Sequence, residues 1–327
     1  MMDAPEISVV MANYNGSRHL AAAIRSLQHQ TFQSWELIFV DDLSSDDSVA
    51  AAVAAADGDP RVAILQQSTN LGPAAARNRA IGRARGNWIA VFDSDDIMRP
   101  QRLEALLDRA RRDAAAIVVD DLLLFSEQSA TPKNFLPRNF AREPRWIGLA
   151  EFIDSNRLHS RVPDLGYLKP FIAMNLLRDS RVRYDERLRI GEDYDFMARL
   201  LAHGARMRLE PEAHYLYRRH PNSTSYRLKR EHILALIEAD RRFASETRPL
   251  TPEEAMALDR RTQSLHSLLL YDRVVTLTKA GHYREAASTG LGAPRIWPLL
   301  VRPIRARASR LYARLAPSSS AAQKEAR

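Results

Sequence analysis

The chain opens on an unbroken apolar run, Ile7 to Ala12, that stops at the turn residues Asn13-Tyr14-Asn15-Gly16. A short run of this kind fits a strand covered on both faces. Leu20, Ala23, Ile24 and Leu27 then recur at helical spacing, with Ser17 as the expected N-cap. The alternation repeats. Trp35 to Val40 is strand-like and ends at Asp41-Asp42, an alanine-rich helix closes near Asp57-Gly58-Asp59-Pro60, and Val62 to Leu65 is a third strand. Asn70 to Asn78 turns into a helix, and Ile89 to Phe92 is a further strand that ends at Asp93-Ser94-Asp95-Asp96. Strands alternating with helices predict βαβ units, hence an α/β fold with a mostly parallel central sheet and flanking helices.

Leu103, Leu106 and Leu107 line the next expected helix, and Ala116 to Val119 the next strand. Ser126 to Trp146 is polar and punctuated by proline, and reads as a long mobile loop of lid type. Ile147 to Arg157 resumes as a helix, and Leu165 to Met174 reads as sheet or a buried turn. Glu192 opens a helix with an acidic first turn, and Tyr215 to His220 is strand-like. Beyond Arg227 the pattern is helical, with helices expected over Glu231–Ser245 and Pro252–Ala280. The expected organisation is an α/β domain over residues 1–227, a helical appendage over 228–290 and a basic tail over 291–327.

Composition narrows the chemistry. At 327 residues the chain can bury a full core, and its apolar and charged fractions are those of an ordinary folded protein. The absence of cysteine excludes disulfides, thiolate catalysis and zinc–thiolate sites, and fits a reducing cytoplasm. The acidic start running straight into a strand is unlike a secretory signal, and no apolar run has the length of a membrane span. The formal charge of +8 is concentrated in the tail, where no acid occurs from Ala286 to Lys324 and six arginines do. There Trp297, Val301, Ile304, Ala308, Leu311 and Leu315 recur at three- and four-residue spacing, and a helix is expected from about Pro303 to Leu315. Such a helix reads equally as a contact for an anionic membrane or as a helix packed on the domain with a solvated basic face. The tail is also all that speaks for nucleic acid, a weaker reading.

Four features end or follow a strand: Asn13-Tyr14-Asn15, Asp41-Asp42, the stretch from Asn70 to Asn78, and Asp93-Ser94-Asp95. In an open α/β sheet those ends form one crevice. Asn13-Tyr14-Asn15 and Asp41-Asp42 offer hydrogen bonds to a base or ribose, and the stretch from Asn70 carries Arg77, which offers a fork for phosphate. Carboxylates gathered at a strand end repel one another unless compensated, and a hard divalent ion such as Mg²⁺ or Mn²⁺ would compensate them. One at a time, these are a helix-surface cation, a helix cap and a solvated acidic turn. Their coincidence favours a nucleoside diphosphate. Dinucleotide, P-loop, zinc-protease and serine-hydrolase signatures are all missing from the sequence.

In order and spacing, five segments resemble the family 2 glycosyltransferases of GT-A fold, over about Ile7 to Ser225. They are Val9 to Asn15; Gln30-Thr31 with Trp35 to Asp42; Asn70-Leu71-Gly72 with Ala76-Arg77-Asn78; Phe92 to Asp96; and Gly191-Glu192-Asp193-Tyr194-Asp195. Leu43 departs from the pattern, because relatives usually carry glycine or a small residue there. The resemblance implies a nucleotide-sugar donor, most often UDP-linked, and inversion at the anomeric carbon. It implies that Tyr14 and one of Asp41 or Asp42 hold the base and that Arg77 faces the nucleotide. Asp93 and Asp95 would be the metal-binding pair, with Asp95 the direct ligand. Asp193, beside Glu192, would be the general base, and His220 would approach the metal or pyrophosphate. The general layout resembles exopolysaccharide assembly, with a saccharide or lipid-linked saccharide as acceptor, at or near the inner face of the inner membrane. The competing class is a nucleotide- or polyanion-binding module without turnover.

Overall fold

The computed structural model describes residues 4–126, 129–157, 160, 163–219 and 228–299. The chain divides into two compact units, Met1–Thr262 and Gln263–Arg327.

The first unit is built on one sheet. β1 (Ile7–Asn13), β2 (Trp35–Asp41), β3 (Val62–Gln66) and β4 (Trp88–Val91) are its parallel part, in the order β3-β2-β1-β4. Their apolar runs are buried from end to end in β1 and β2, apart from Ala12, because the connecting helices cover both faces. Those helices are α1 (Ser17–Gln28), α2 (Ser48–Ala56) and α3 (Pro73–Arg83). Leu20, Ala23, Ile24 and Leu27 are the buried stripe of α1, as their spacing requires. Ser17 is the first helical residue and not the cap. Gly16 stands before it, and the Ser17 amide donates to Asp46 Oδ2 at 3.1 Å.

After the acidic turn come β5 (Ile97–Met98), α4 (Arg102–Arg112) and β6 (Ile117–Ser126). The expected lid loop is sheet in part: β7 (Ser129–Asn134) returns antiparallel along β6, and β8 (Arg145–Ile147) pairs with a later strand. Buried Asp121 explains the return. Its carboxylate accepts Asn134 Nδ2 at 2.7 Å and the Leu136 amide at 2.9 Å, a long-range tie that leaves no local periodicity to read. α5 (Leu149–Ser155) follows, then β9 (Phe171–Ala173), α6 (Met174–Ser180), α7 (Glu192–Ala202) and β10 (Met207–Arg218). β9 lies antiparallel between β4 and β6, and β10 runs parallel to β6. The second half of the sheet is therefore mixed.

α8 (Arg230–Glu246) and the first turns of α9 (Pro252–Lys279) complete this unit, since Phe243, Ala257 and Leu258 join its core. Arg261 stacks on the Tyr194 ring at 3.8 Å, donates to Asn156 Oδ1 at 2.8 Å and pairs with Asp240, which braces the start of α7. In the second unit, Val274, Ala286 and Ile296 form a small core between the end of α9, α10 (Tyr283–Leu291) and a short 3₁₀ turn. The tail helix expected over 303–315 lies outside the described residues. No helix among the described residues is long and apolar enough to cross a membrane.

Candidate active site

The ends of β1 and β2 form one wall. Asn13 sits opposite Asp41 in the parallel register, and its Nδ2 donates to Asp41 Oδ1 at 3.0 Å. Asp41 is fully buried and also accepts the Ser44 amide at 2.8 Å and the Ser44 hydroxyl at 2.5 Å. Asp42, also buried, accepts the amides of Leu71 and Gly72, each at 2.8 Å, and Gln67 Nε2 at 2.5 Å. Both carboxylates thus hold turns together. Asn70 caps the same turn through Asp42 O at 3.0 Å and meets Arg189 at 3.2 Å. Tyr14 is the exposed member of this wall, with 56% of its surface open. Leu43 adopts φ 61°, the left-handed region that favours glycine.

The acidic turn after β4 is the second wall. Single oxygens of Asp93, Asp95 and Asp96 lie within 4.8 Å of one another. The Arg218 amide donates to Asp96 Oδ1 at 2.7 Å, and Arg218 Nε donates to the Asp95 carbonyl at 2.7 Å. Asp96 is 1% exposed, and its Oδ2 is buried without a hydrogen-bond partner. Burial, then the charges of Asp95 and Asp93, push Asp96 well above the usual carboxylate range. Three oxygen donors with an orphaned buried atom among them fit a hard divalent ion, whose charge would offset the repulsion. His220 lies outside the described residues.

The third wall is the start of α7. Gly191 takes φ 83°, a left-handed entry to the helix that strains any residue with a Cβ. Glu192 and Asp193 follow at once. Arg77, buried on α3, reaches across: its two terminal nitrogens lie 2.8 Å from Glu192 Oε1, 3.3 Å from Asp193 Oδ1 and 2.8 Å from Asp93 Oδ1. Lys169, in the segment entering β9, completes the arrangement at 2.7 Å from Asp93 Oδ2 and 3.5 Å from Asp193 Oδ2. Burial alone would raise Asp93, but Lys169 and Arg77 outweigh it and hold the group well below the usual range. Glu192 goes the other way: burial and the neighbouring Asp193 push it up to about 7 against the pull of Arg77.

A second layer fixes these groups. Arg102 and Asp120, both without solvent exposure, pair at 2.9 Å, and the same Arg102 Nη2 donates to the Lys169 carbonyl at 2.8 Å. Asp120 accepts the His214 amide, and the next residue, Tyr215, uses its hydroxyl to accept the Asp93 amide at 3.1 Å. Buried ion pairs of this kind are costly to break from one side.

The structure therefore brings Arg77, Asp93, Glu192 and Asp193 into direct contact, with Asp95 and Asp96 beside them. Asn13, Asp41, Asp42 and Asn70 make a separate hydrogen-bonded cluster at neighbouring strand ends. Lys169, Arg102, Tyr215 and Arg218 were missed by sequence reasoning. The one available signal was the lone Lys169 between Leu168 and Pro170 in an otherwise apolar segment. A separate cleft of about 520 Å³, lined among others by Tyr184, Asp195, Arg199 and Arg242, excludes the acids of the β4 turn. Two ion pairs lie within its lining, Arg199–Asp195 at 2.5 Å and Arg242–Asp185 at 2.8 Å.

Residues 8–164 match the family model described as Glycosyl transferase family 2. Succinoglycan biosynthesis protein ExoO of Rhizobium meliloti (strain 1021) is 38% identical over 323 residues, 98% of this chain and 92% of the relative. ExoU of the same organism, also named for succinoglycan biosynthesis, is 34% identical over 76% of this chain and 72% of its own. Among solved structures, S. aureus TarS 1-349 in complex with UDP-GlcNAc superposes with a TM-score of 0.62 at 20% identity, covering 84% of this chain and 73% of that one. The mannosyltransferase PcManGT from Pyrobaculum calidifontis, in complex with GDP-Man and Mn²⁺, gives 0.59 at 15% identity over 94% and 80%. At those identities the two structures speak for the fold.

Proposed function

The chain belongs to the family 2 glycosyltransferases, and from that premise we propose that it moves a sugar, with inversion, from a UDP-linked donor to a saccharide or lipid-linked saccharide acceptor in exopolysaccharide synthesis. The observation that carries the reading is the pair of acids facing each other across Arg77: Asp93 after β4 and Asp193 at the start of α7. A transferase of this kind needs two things there. The leaving diphosphate must have its charge neutralised, and the acceptor hydroxyl must lose its proton as it attacks.

Asp193 takes that proton as the acceptor oxygen bonds to the anomeric carbon, while the bond from that carbon to the phosphate oxygen breaks and its electron pair leaves with the nucleoside diphosphate. One in-line displacement inverts the centre and needs no enzyme nucleophile. Arg77 faces the nucleotide side and offsets the charge that develops on the leaving group. Tyr14 stacks on the base, whose pocket is shaped by Asn13, Asp41, Asp42 and Asn70. Asp95, with Asp93 and Asp96 beside it, is where Mn²⁺ or Mg²⁺ would be held, and such an ion acts as a Lewis acid toward the diphosphate. The relatives' names, the UDP-GlcNAc in the TarS structure and the Mn²⁺ in the PcManGT structure support these choices of pathway, donor and ion.

The test is a panel of nucleotide sugars screened with Mn²⁺ for thermal stabilisation, followed by UDP release from the best donor with and without saccharide acceptors. Asp193→Asn is expected to lower transfer by about 10²–10⁴-fold, the usual contribution of a general base, while UDP affinity stays close to wild type. Equal loss of both would remove Asp193 from the base role. Binding without any UDP release would mark a module that keeps the fold but does not turn over. The arginine-rich tail supports a peripheral contact with an anionic membrane on the cytoplasmic side. A chain ending at Gly292 that floats with anionic vesicles as well as the full chain would refute that contact.

A further inference from the structure

We propose that Lys169 is a positioning residue for transfer: with Arg77 it closes a ring of four charges that holds Asp93, on the donor side, and Asp193, on the acceptor side, at a fixed separation. This rests on reading Asp193 as the base. Each carboxylate gives one oxygen to each cation. Asp93 offers Oδ1 to Arg77 at 2.8 Å and Oδ2 to Lys169 at 2.7 Å; Asp193 offers Oδ1 to Arg77 at 3.3 Å and Oδ2 to Lys169 at 3.5 Å. If Asp93 left the ring, Lys169 would keep only Asp193 at 3.5 Å, and if Asp193 left, it would lose its contacts with both buried cations; either loss is costly at a buried site. The ring is also neutral, two positive against two negative charges. Without Lys169, Asp93 and Asp193 would share Arg77, which also faces Glu192 at 2.8 Å, and a diphosphate would bring further negative charge beside them.

Lys169 is itself held on all sides. It is 4% exposed, and its Nζ lies 5.9 Å from the centre of the Tyr217 ring. Its carbonyl accepts from buried Arg102 at 2.8 Å. The following residue, Pro170, accepts the amide of Val91 at 3.1 Å, and Phe171 pairs with Ala90, so the segment is registered on the very strand that leads into Asp93. From the other side, the Asp93 amide donates to Tyr215, whose ring lies under Arg102 at 4.7 Å. The lysine and the acid it grips are thus braced by one buried network. That is the arrangement expected of a group that sets a distance, because a misplacement of about 1 Å at a reacting centre costs on the order of 10²-fold in rate.

The experiment has two arms. The chain has five lysines, so the ammonium signals of ¹⁵N-lysine-labelled protein are few, and that of Lys169 is identified by its loss in K169M. It is expected to shift in D93N and in D193N. No shift in D193N overturns the ring, whatever the activity of the protein. In the kinetic arm, K169M is expected to lower kcat by about 100-fold while KM for the best donor of the panel changes by less than about 5-fold. A raised KM at unchanged kcat overturns the proposal, since Lys169 would then bind donor and not position the base. Because the chain has no cysteine, K169C treated with bromoethylamine carries an ammonium at that position alone. This adduct is expected to regain at least about tenfold in kcat over K169C treated with iodoacetamide, whose adduct is neutral. Equal rates for the two adducts would also overturn it. Should wild-type protein turn over no nucleotide sugar, the functional reading fails, and the ammonium signals still decide whether the ring exists.

Discussion

Glu192→Gln is expected to stabilise the protein more at alkaline than at acid pH. Glu192 is buried at the start of α7, and its pKa is raised from the ordinary 4.5 to about 7 by burial first and Asp193 second. The folded state therefore binds a proton that the unfolded chain has released between those two values. Stability from this group is intact at and below pH 4.5 and is lost as pH rises through 7. Glutamine mimics the protonated acid at every pH. At 1.36 kcal/mol per pH unit, its advantage over glutamate is about 1 kcal/mol at pH 5 and about 3 kcal/mol at pH 8. The pull of Arg77 at 2.8 Å on the ionised form is already contained in the raised pKa, so nothing further is subtracted. The difference between the two pH values stands at about 2 kcal/mol, or roughly 4–8 °C in Tm for a unit of this size. Calorimetric melts of both proteins, without nucleotide or metal, at pH 5 and pH 8 measure it directly. A gain that is the same at both pH values would mean that packing, not ionisation, is responsible. A loss at both would make Glu192 a needed counter-ion for Arg77, and the reasoning would be wrong.

Asp95→Ala should remove most of the increase in UDP affinity that Mn²⁺ confers, about 10- to 100-fold by analogy with perturbed metal sites, while affinity in EDTA stays the same; titration calorimetry in the two conditions checks this. Leu43→Gly relieves a left-handed residue whose side chain is 43% exposed, so a gain of up to about 1 kcal/mol is expected once the extra backbone entropy of glycine is subtracted. Urea denaturation reads it, and no gain would mean that Leu43 packing matters more than its backbone. Asp120→Asn strands a fully buried Arg102 and should cost about 3–5 kcal/mol, whereas Arg102→Met with Asp120→Leu should recover most of that stability. The double variant is still expected to be impaired in transfer, because nothing then donates to the Lys169 carbonyl; full activity would separate this network from the site.

The parallel half of the sheet and the address of its acids were legible in the sequence for one reason. A buried strand flanked by helices announces itself as an apolar run, and its C-terminal end is where ligand groups collect. The mixed half was not legible. β7 and β8 are held by pairings to β6 and β10 and by buried Asp121, none of which produces a local pattern. The same limit hid half of the site. Arg77 meets Glu192 across 115 positions and Asp93 meets Tyr215 across 122. Periodicity is silent over such distances, and a lone lysine in an apolar segment could as well have been a surface residue at a strand end.

The two acidic strand ends, alike in sequence, are compensated by different chemistry, and this decides what each can do. Asp41 and Asp42 are satisfied mainly by amides and side chains of their own and adjoining turns. Backbone donors are fixed by the fold and cannot be lent to a ligand, so these acids set the shape of a wall and, on the proposed function, leave contact with a base to the exposed Tyr14. Asp93 and Asp193 are compensated by a guanidinium and an ammonium on side chains, Asp193 through charge contacts at 3.3 and 3.5 Å. Those charges can turn part of their field toward a diphosphate while still holding the acids, which a backbone amide cannot do. On the proposed function, acids compensated by side-chain cations are therefore the reactive arrangement and the pair compensated by turns is the structural one, although both strands end in aspartates.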